Sequence, residues 1–254
     1  MEDNSQLTDA EFWLAKQPAQ IRLPQGGTRP NWFKHVAHYL PIAPAWRCLE
    51  VGVVPGSTLL FFADKLGYLC TGIDFSPRVH QLRDVFAARG VTAEFIQADF
   101  LTWNPTENFD LVYSCGFIEH FENYEQVIGR HWTLVRPGGL MLLTVPALSL
   151  VQMLSRKVFY EKAKMQEVLE SHNLEIMNLC RLEQVVKGLA SSEVLVASYT
   201  SEMEFWFRPK SPGVRWWTRP LFYPLRAIEK IVHLVGISSQ WYSPVVLVLA
   251  RKAY

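Results

Sequence analysis

The sequence lacks several features that would place it in a specialised class of protein. No apolar run reaches the roughly eighteen residues that a membrane-spanning helix needs. The polar first residues show no basic region followed by an apolar core, as a secretory signal would. The formal net charge is only +1, which argues against a nucleic-acid partner. The four cysteines follow no metal-binding spacing. These absences predict a cytoplasmic protein with reduced cysteines.

Two common phosphate-binding patterns are also missing, although a glycine turn is present. Residues 48–57 form an apolar run that ends in a turn bracketed by Gly52 and Gly56, and residues 57–66 have helical composition with Ser57 as the expected N-cap. Val54 stands where a G-x-G-x-x-G pattern has its middle glycine, and no Lys-Ser/Thr follows as in a P-loop. The turn therefore predicts a ligand site that does not bind a phosphate group.

Carboxylates end the next two predicted strands. Asp74 ends strand 68–73, and Asp99 follows strand 93–97. In a doubly wound sheet, an acid at the end of the second strand lies beside the glycine turn and can accept hydrogen bonds from both hydroxyls of a ribose. A ligand that contains a nucleoside fits this arrangement.

Five segments taken together resemble the class I S-adenosylmethionine-dependent methyltransferases over residues 45–147. The matching segments, in order, are 50–56, 72–74, 98–100, 109–114 and 135–139. The resemblance implies a Rossmann-like α/β fold with a seven-stranded sheet, and S-adenosyl-L-methionine as cofactor. The cofactor-binding residues that it implies are Glu50, Gly52, Gly56, Asp74, Phe75, Asp99, Phe100 and Ser114. Val54 and Pro55 depart from the more usual glycine-rich motif.

The rest of the chain is interpreted as additions to a single domain, 1–254. Residues 1–45 are expected to form an N-terminal lid over the cofactor-binding core, 46–147. Residues 148–190 have apolar positions at helical spacing and are expected to form inserted helices on the substrate side, after strand 5. Residues 191–254 hold the last strands and a basic aromatic segment.

Two histidines are the candidate catalytic residues. His120 follows the fourth strand, and Glu119-His120 resembles the Glu-His pair of ubiquinone-pathway O-methyltransferases; His172 lies in the insertion. A neutral histidine can take the proton of a hydroxyl acceptor, although a structural role is an open alternative for His120. Gly116 stands where some relatives have a further acidic metal ligand, so no metal is predicted. The segments 116–121 and 172–177 also resemble sugar- and polysaccharide-tailoring methyltransferases.

The basic aromatic segment, residues 205–235, leaves the acceptor class open. Aromatic residues there alternate with arginine and lysine, a composition that suits either packing on the sheet or contact with a membrane surface. The sequence favours O-methylation of a small molecule or glycan. The alternatives are an aromatic, quinone-like or lipid acceptor at a membrane surface, with peripheral membrane association, and a nucleoside-binding scaffold without turnover.

Overall fold

Seven strands form one sheet at the centre of the computed structural model, which describes residues 6–200, 202–203 and 213–254. In chain order the strands are β1 (Arg47–Val51), β2 (Leu69–Asp74), β3 (Ala93–Gln97), β4 (Phe109–Cys115), β5 (Val135–Pro146), β6 (Ser192–Tyr199) and β7 (Val245–Lys252). Their spatial order is β3-β2-β1-β4-β5-β7-β6. The pairs among β1 to β5 are parallel, and β7 is antiparallel to both β5 and β6. The predicted seven-stranded Rossmann-like α/β sheet is confirmed.

Helices connect the strands and cover both faces of the sheet. They are α1 (Ala10–Lys16), α2 (Phe33–Val36), α3 (Ser57–Phe61), α4 (Gln81–Ala87), α5 (Tyr124–Leu134), α6 (Leu150–Phe159), α7 (Lys162–Glu170), α8 (Leu179–Lys187) and α9 (Phe222–Val235). A π-helical turn, Phe62–Leu66, continues α3, and a 3-10 turn, Pro77–His80, precedes α4. The insertion after β5 is thus helical, as its periodicity predicts.

Two local expectations need correction. The N-cap of α3 is Gly56 with φ +86°, and no side chain caps this helix, so the expected cap at Ser57 is wrong. A positive φ strains a residue that has a Cβ, which explains why glycine occupies this position. The sequence predicts a fifth strand over 139–145, whereas β5 begins at Val135, because Val135 pairs with Phe109 across a register shift in β4.

Side chains of the central strands alternate between two hydrophobic cores. Cys48, Leu111 and Tyr113 contribute to one core, whereas Leu49 and Val112 contribute to the other. This alternation follows from the period of two along a strand. The sheet is therefore buried on both faces, and ligands reach its central strands at an edge.

The aromatic segment is only partly described. Its residues Phe205, Trp206, Phe207, Arg208 and Lys210 lie outside the described residues. Within the described part of the chain, no helix combines the length and the hydropathy needed to cross a bilayer.

Candidate functional site

The glycine turn after β1 approaches neighbouring segments closely. Gly52 has φ +71°, and a Cβ built there would lie 2.8 Å from a ring carbon of Phe117. The backbone N–H groups of Gly52 and Val53 both donate to the carbonyl of Ile73 in β2, at 2.9 and 3.2 Å. The Val54-Pro55 peptide is cis. Position 52 therefore requires glycine for its backbone conformation and for the space next to Phe117.

Asp74 ends β2 and supports this turn. Its side chain is 7% exposed, and its two carboxylate oxygens accept hydrogen bonds from the backbone N–H groups of Val54 at 3.1 Å and Ser76 at 2.9 Å. Burial raises the pKa of Asp74, while these two hydrogen bonds oppose the rise. The carboxylate is thus held rigidly beside the turn, where the ribose acid was predicted.

The residues after β3 form the next part of the carboxyl edge of the sheet. Asp99 is exposed, and its carboxylate accepts a hydrogen bond from the backbone N–H of Leu101 at 2.9 Å. Phe100 is buried, with its ring centroid 4.6 Å from that of His131. This turn exposes an acid and buries an aromatic ring beside the same edge.

A cavity of about 640 Å³ opens at this carboxyl edge of the sheet. Its volume is typical of small-molecule and cofactor sites. Five predicted cofactor residues line it, together with the catalytic candidate His120, and they meet side chains from the N-terminal segment and from the end of β4. The lining includes Trp13, Gln17, Gly52, Asp74, Phe75, Asp99, Phe100, Cys115, Gly116, Phe117 and His120.

Four other predicted site residues are not among those lining the cavity: Glu50, Gly56, Ser114 and His172. Gly56 begins α3, and its built Cβ would lie 3.0 Å from Leu82. Ser114 is fully buried in β4, paired in register with Val51. Contact of Glu50, Gly56 and Ser114 with a cofactor stays a prediction, as does a catalytic role for His172.

Glu50 is buried in β1 directly before the turn. It is 5% exposed, and within the described residues its Oε2 atom has no hydrogen-bond partner. Burial, with a smaller contribution from the nearby charge of Asp74, raises the pKa of Glu50 to about 8. The free protein therefore holds this carboxyl in its protonated form at neutral pH.

The N-terminal segment forms one wall of the cavity. The backbone N–H of Leu7 donates to the carbonyl of His120 at 2.8 Å, and the Trp13 ring meets the His120 ring edge to face at 4.7 Å. The hydroxyl of Ser76 donates to the Gln17 side-chain oxygen at 2.7 Å. These contacts attach α1 both to the segment after β4 and to the segment after β2. Residues 1–45 carry no motif that indicates these contacts.

His120 and His172 lie together, although 52 positions separate them in the sequence. Their ring centroids are 4.6 Å apart, and Glu119 Oε1 lies 3.8 Å from His120 Nε2. Burial lowers the pKa of His120 to about 3 and also lowers that of His172, while burial raises the pKa of Glu119 to about 8. Both imidazoles are therefore neutral at pH 7.

Comparison with protein families identifies the central part of the chain. Residues 48–139 match a family model described as a methyltransferase domain. The chain is 30% identical over 110 residues to trans-aconitate 2-methyltransferase of Paracidovorax citrulli, covering 42% of this chain and 41% of that protein. It is also 28% identical over 129 residues to phosphoethanolamine N-methyltransferase 2 of Caenorhabditis elegans. This match covers 47% of this chain and 28% of that protein. The matched regions span half or less of the length of these relatives.

Solved structures share the fold over most of the chain. The plantazolicin methyltransferase BpumL in complex with SAH superposes with a TM-score of 0.57 at 13% identity, covering 87% of this chain and 82% of that one. YjhP from E. coli superposes with a TM-score of 0.58 at 17% identity, and the superposition covers 90% of this chain and 94% of that one. The sheet order, the glycine turn followed by Asp74, and the family match agree: residues 48–139 match a methyltransferase domain, and the chain has the Rossmann-like fold of the class I S-adenosylmethionine-dependent methyltransferases.

Proposed function

We propose that the chain binds S-adenosylmethionine in the cavity and transfers its methyl group to an oxygen atom of a small-molecule or glycan acceptor. The observation that carries the proposal is the position of Asp74, a buried carboxylate next to a glycine turn in a cavity of about 640 Å³. When bound, S-adenosylmethionine supplies a methyl group on a positively charged sulfur, which is already an activated leaving group. The protein has mainly to align the acceptor with that methyl carbon.

The cofactor end of the cavity is assigned to the first three strands. Asp74 would accept hydrogen bonds from the ribose hydroxyls, and Gly52 leaves room for the methionine portion. Asp99 and Phe100 would contact the adenine, with Phe75 beside them. Each of these five residues lines the cavity, which supports the assignment.

The acceptor end is assigned to the segment after β4. His120 and Phe117 line the cavity there, with Trp13 in contact with the His120 ring. Because the pKa of His120 is lowered to about 3, its imidazole is neutral but has a low affinity for a proton at pH 7. General-base catalysis is most effective when the pKa lies near the working pH. We therefore assign His120 to orienting the acceptor, and His172 to supporting His120.

Two curated relatives bear names that state small acceptors, trans-aconitate and phosphoethanolamine. These names support a small-molecule acceptor for this chain. They do not agree on the position that is methylated, because one name states a nitrogen atom and the other states position 2. The segments that resemble sugar-tailoring methyltransferases, around His120 and His172, favour a hydroxyl oxygen.

Calorimetric titration with S-adenosylmethionine and S-adenosylhomocysteine tests the cofactor site. Asp74→Asn keeps the side-chain shape but removes the charge, so we expect wild-type affinity near the micromolar range to fall by about 1.5–3 kcal/mol, the usual value of a hydrogen bond to a charged group. Asp84→Asn changes an exposed acid on α4 and should bind like wild type. Absence of binding to folded wild-type protein would contradict the proposal.

The acceptor atom is tested by supplying labelled S-adenosylmethionine with panels of sugar hydroxyl, carboxylate and amine compounds. We expect transfer to a hydroxyl oxygen, with loss of transfer but retention of cofactor binding in His120→Ala. Transfer to amines alone would contradict the oxygen assignment while leaving the cofactor site intact.

A second acceptor class, a lipid or quinone-like compound at a membrane surface, is favoured by the surface of α9. The buried residue in this helix is the acid Glu229, whereas Tyr223, Ile231 and Leu234 are 80%, 61% and 84% exposed. An exposed apolar helix face flanked by cations is typical of proteins that lie on a membrane surface. Exposed cations in the same region are Arg219, Arg226 and Lys230.

Sedimentation with vesicles tests this alternative. We expect binding to vesicles rich in anionic lipid, weakened by Ile231→Ser with Leu234→Ser and by Arg219→Ala with Lys230→Ala. Exposed Ile42→Ser, far from α9 in the sequence, is a matched control. If the protein does not sediment with anionic vesicles at low salt, the membrane alternative is wrong, and the soluble-acceptor proposal is unaffected.

A further inference from the structure

Three side chains with metal-binding atoms converge at His120, which lines the cavity. Glu119 and His120 belong to a 3-10 turn, Ile118–His120, and His172 follows α7. The ligand atoms that they offer lie within 4.8 Å of one another. Glu119 is 1% exposed and His120 is 5% exposed. Glu119 and His120 are thus buried and His172 is partly buried, in contrast to the surface acids that often approach one another in proteins.

Hydrogen bonds fix the two imidazoles in the form that binds metals. Nδ1 of His120 lies 2.7 Å from the carbonyl oxygen of Ser171, and Nδ1 of His172 lies 2.8 Å from that of Val168. A carbonyl oxygen can only accept, so each Nδ1 must carry the proton. The lone pair of each ring is therefore on Nε2. Histidines that bind metals usually donate their other N–H to a carbonyl or a carboxylate in this way.

The carboxylate of Glu119 is not satisfied by the protein. Its Oε2 atom is buried and, within the described residues, has no hydrogen-bond partner. Its Oε1 atom lies 3.8 Å from His120 Nε2, beyond hydrogen-bond distance. A buried acid without donors is unfavourable, and a bound cation would provide the missing interaction.

The backbone holds the two halves of the cluster together. The N–H of Asn173 donates to the carbonyl of Glu119 at 2.6 Å, and the Asn173 side-chain amide donates to the carbonyl of Phe121 at 3.3 Å. These bonds join segments that are distant in the sequence. The three ligands are therefore positioned before any ion arrives, which lowers the entropic cost of binding.

We propose that Glu119, His120 and His172 form a binding site for a divalent cation of the zinc class. Two imidazoles and one carboxylate are a ligand set that zinc uses in catalytic sites, with a further position left open. Ligands bonded at 2.0–2.2 Å around a tetrahedral ion lie about 3.4 Å apart, so ligand atoms that now lie as much as 4.8 Å apart must approach by up to about 1.4 Å. The third ligand, His172, occupies the role that Gly116 cannot fill.

The site adjoins the acceptor end of the cavity through His120. A cation bound there would hold an acceptor oxygen and lower its pKa. This catalytic use rests on the proposed function, whereas metal binding itself does not. Binding is therefore measured without S-adenosylmethionine or an acceptor.

The experiment uses the full chain after removal of metals with a chelator. Zinc is added by equilibrium dialysis and counted by elemental analysis, and cobalt(II) is added in parallel to record its visible absorption. We expect one ion to bind per chain. We also expect the bound cobalt(II) to absorb visible light intensely, as is typical of cobalt(II) with a low coordination number. His172→Gln and Glu119→Gln should each lower zinc affinity by at least tenfold and change the cobalt spectrum. His80→Gln, which alters an exposed histidine elsewhere, should behave like wild type.

Thermal unfolding separates loss of the site from loss of the fold. Zinc should raise the midpoint of wild type and of His80→Gln but not of the two site variants, because an ion that binds only the native state stabilises it. The proposal is overturned if metal-free wild type takes up less than one ion per chain at excess zinc, or if both site variants bind zinc as tightly as wild type. Titration of S-adenosylhomocysteine into the same samples reports independently on the cofactor site.

Discussion

The buried carboxyl of Glu50 should make the free protein less stable as the pH rises. Its pKa increases from 4.5 in an exposed chain to about 8 in the native state. Between these values the native state holds a proton that the unfolded chain has lost, so the native state binds more protons. Stability then falls as the pH rises from about 4.5 to 8 and becomes constant above that range.

The size of the effect follows from the two pKa values. Each unit of pKa difference corresponds to about 1.4 kcal/mol. A pH of 7 lies well above 4.5 and below about 8. At this pH, Glu50 lowers the free energy of unfolding by about 3 kcal/mol relative to low pH. Gln at position 50 keeps the shape and carries no charge at any pH. Glu50→Gln should therefore match wild type near pH 4 and exceed its stability by about 3 kcal/mol at pH 7.

Urea unfolding of wild type and Glu50→Gln from about pH 4 to 9, with a chelator present, measures this difference. Glu119, whose pKa is also raised to about 8, contributes to the slope of both proteins and cancels in the comparison. Glu122→Gln changes an exposed acid and should unfold like wild type at each pH. Parallel pH profiles for wild type and Glu50→Gln would refute the reasoning, because they would mean that ionisation of Glu50 costs the native state nothing.

Two further predictions concern the N-terminal segment. Gly27 and Gly90 both have φ +70°, but a Cβ at Gly27 would lie 2.5 Å from a backbone nitrogen of α3, whereas nothing lies within 4 Å at Gly90. Gly90→Ala should cost about 1–2 kcal/mol of unfolding free energy from backbone strain alone, and Gly27→Ala should cost clearly more; equal losses would contradict the steric argument. Trp13→Ala should speed tryptic cleavage after Lys16 several-fold, because α1 loses its contact with the cavity wall, whereas Trp241→Ala, at an exposed ring, should not. Unchanged cleavage in Trp13→Ala would mean that this ring does not hold the segment.

Local sequence patterns were sufficient to predict much of the fold. Continuous apolar or helical-period runs with clear ends predict strands over 47–51 and 93–97 and a helix over 124–134, and these bounds coincide with β1, β3 and α5. Asp74 was predicted to lie beside the glycine turn from the topology of a doubly wound sheet, whereas Asp99 was predicted from the family resemblance, and both line the cavity. Such features depend on neighbouring residues and on a rule of topology.

Features that depend on distant pairing could not be predicted in the same way. The start of β5 at Val135 results from a register shift against β4, which local composition does not encode. The contact of His172 with His120 depends on how the insertion folds back, and the contact of Trp13 with His120 depends on the path of the N-terminal segment. Spacing in the sequence contains no information on either distance, so the convergence of Glu119, His120 and His172 could not be predicted from it.

The position of β7 has a consequence for the synthesis of the protein. This strand, Val245–Lys252, lies between β5 and β6 and pairs with both. While the chain emerges from the ribosome, β5 and β6 are translated long before the strand that joins them, and each exposes an unpaired edge until then. Unpaired edges promote association with other chains. The nascent polypeptide thus passes through a stage in which the cofactor-binding strands are already complete and the second half of the sheet is open to misassembly or chaperone binding.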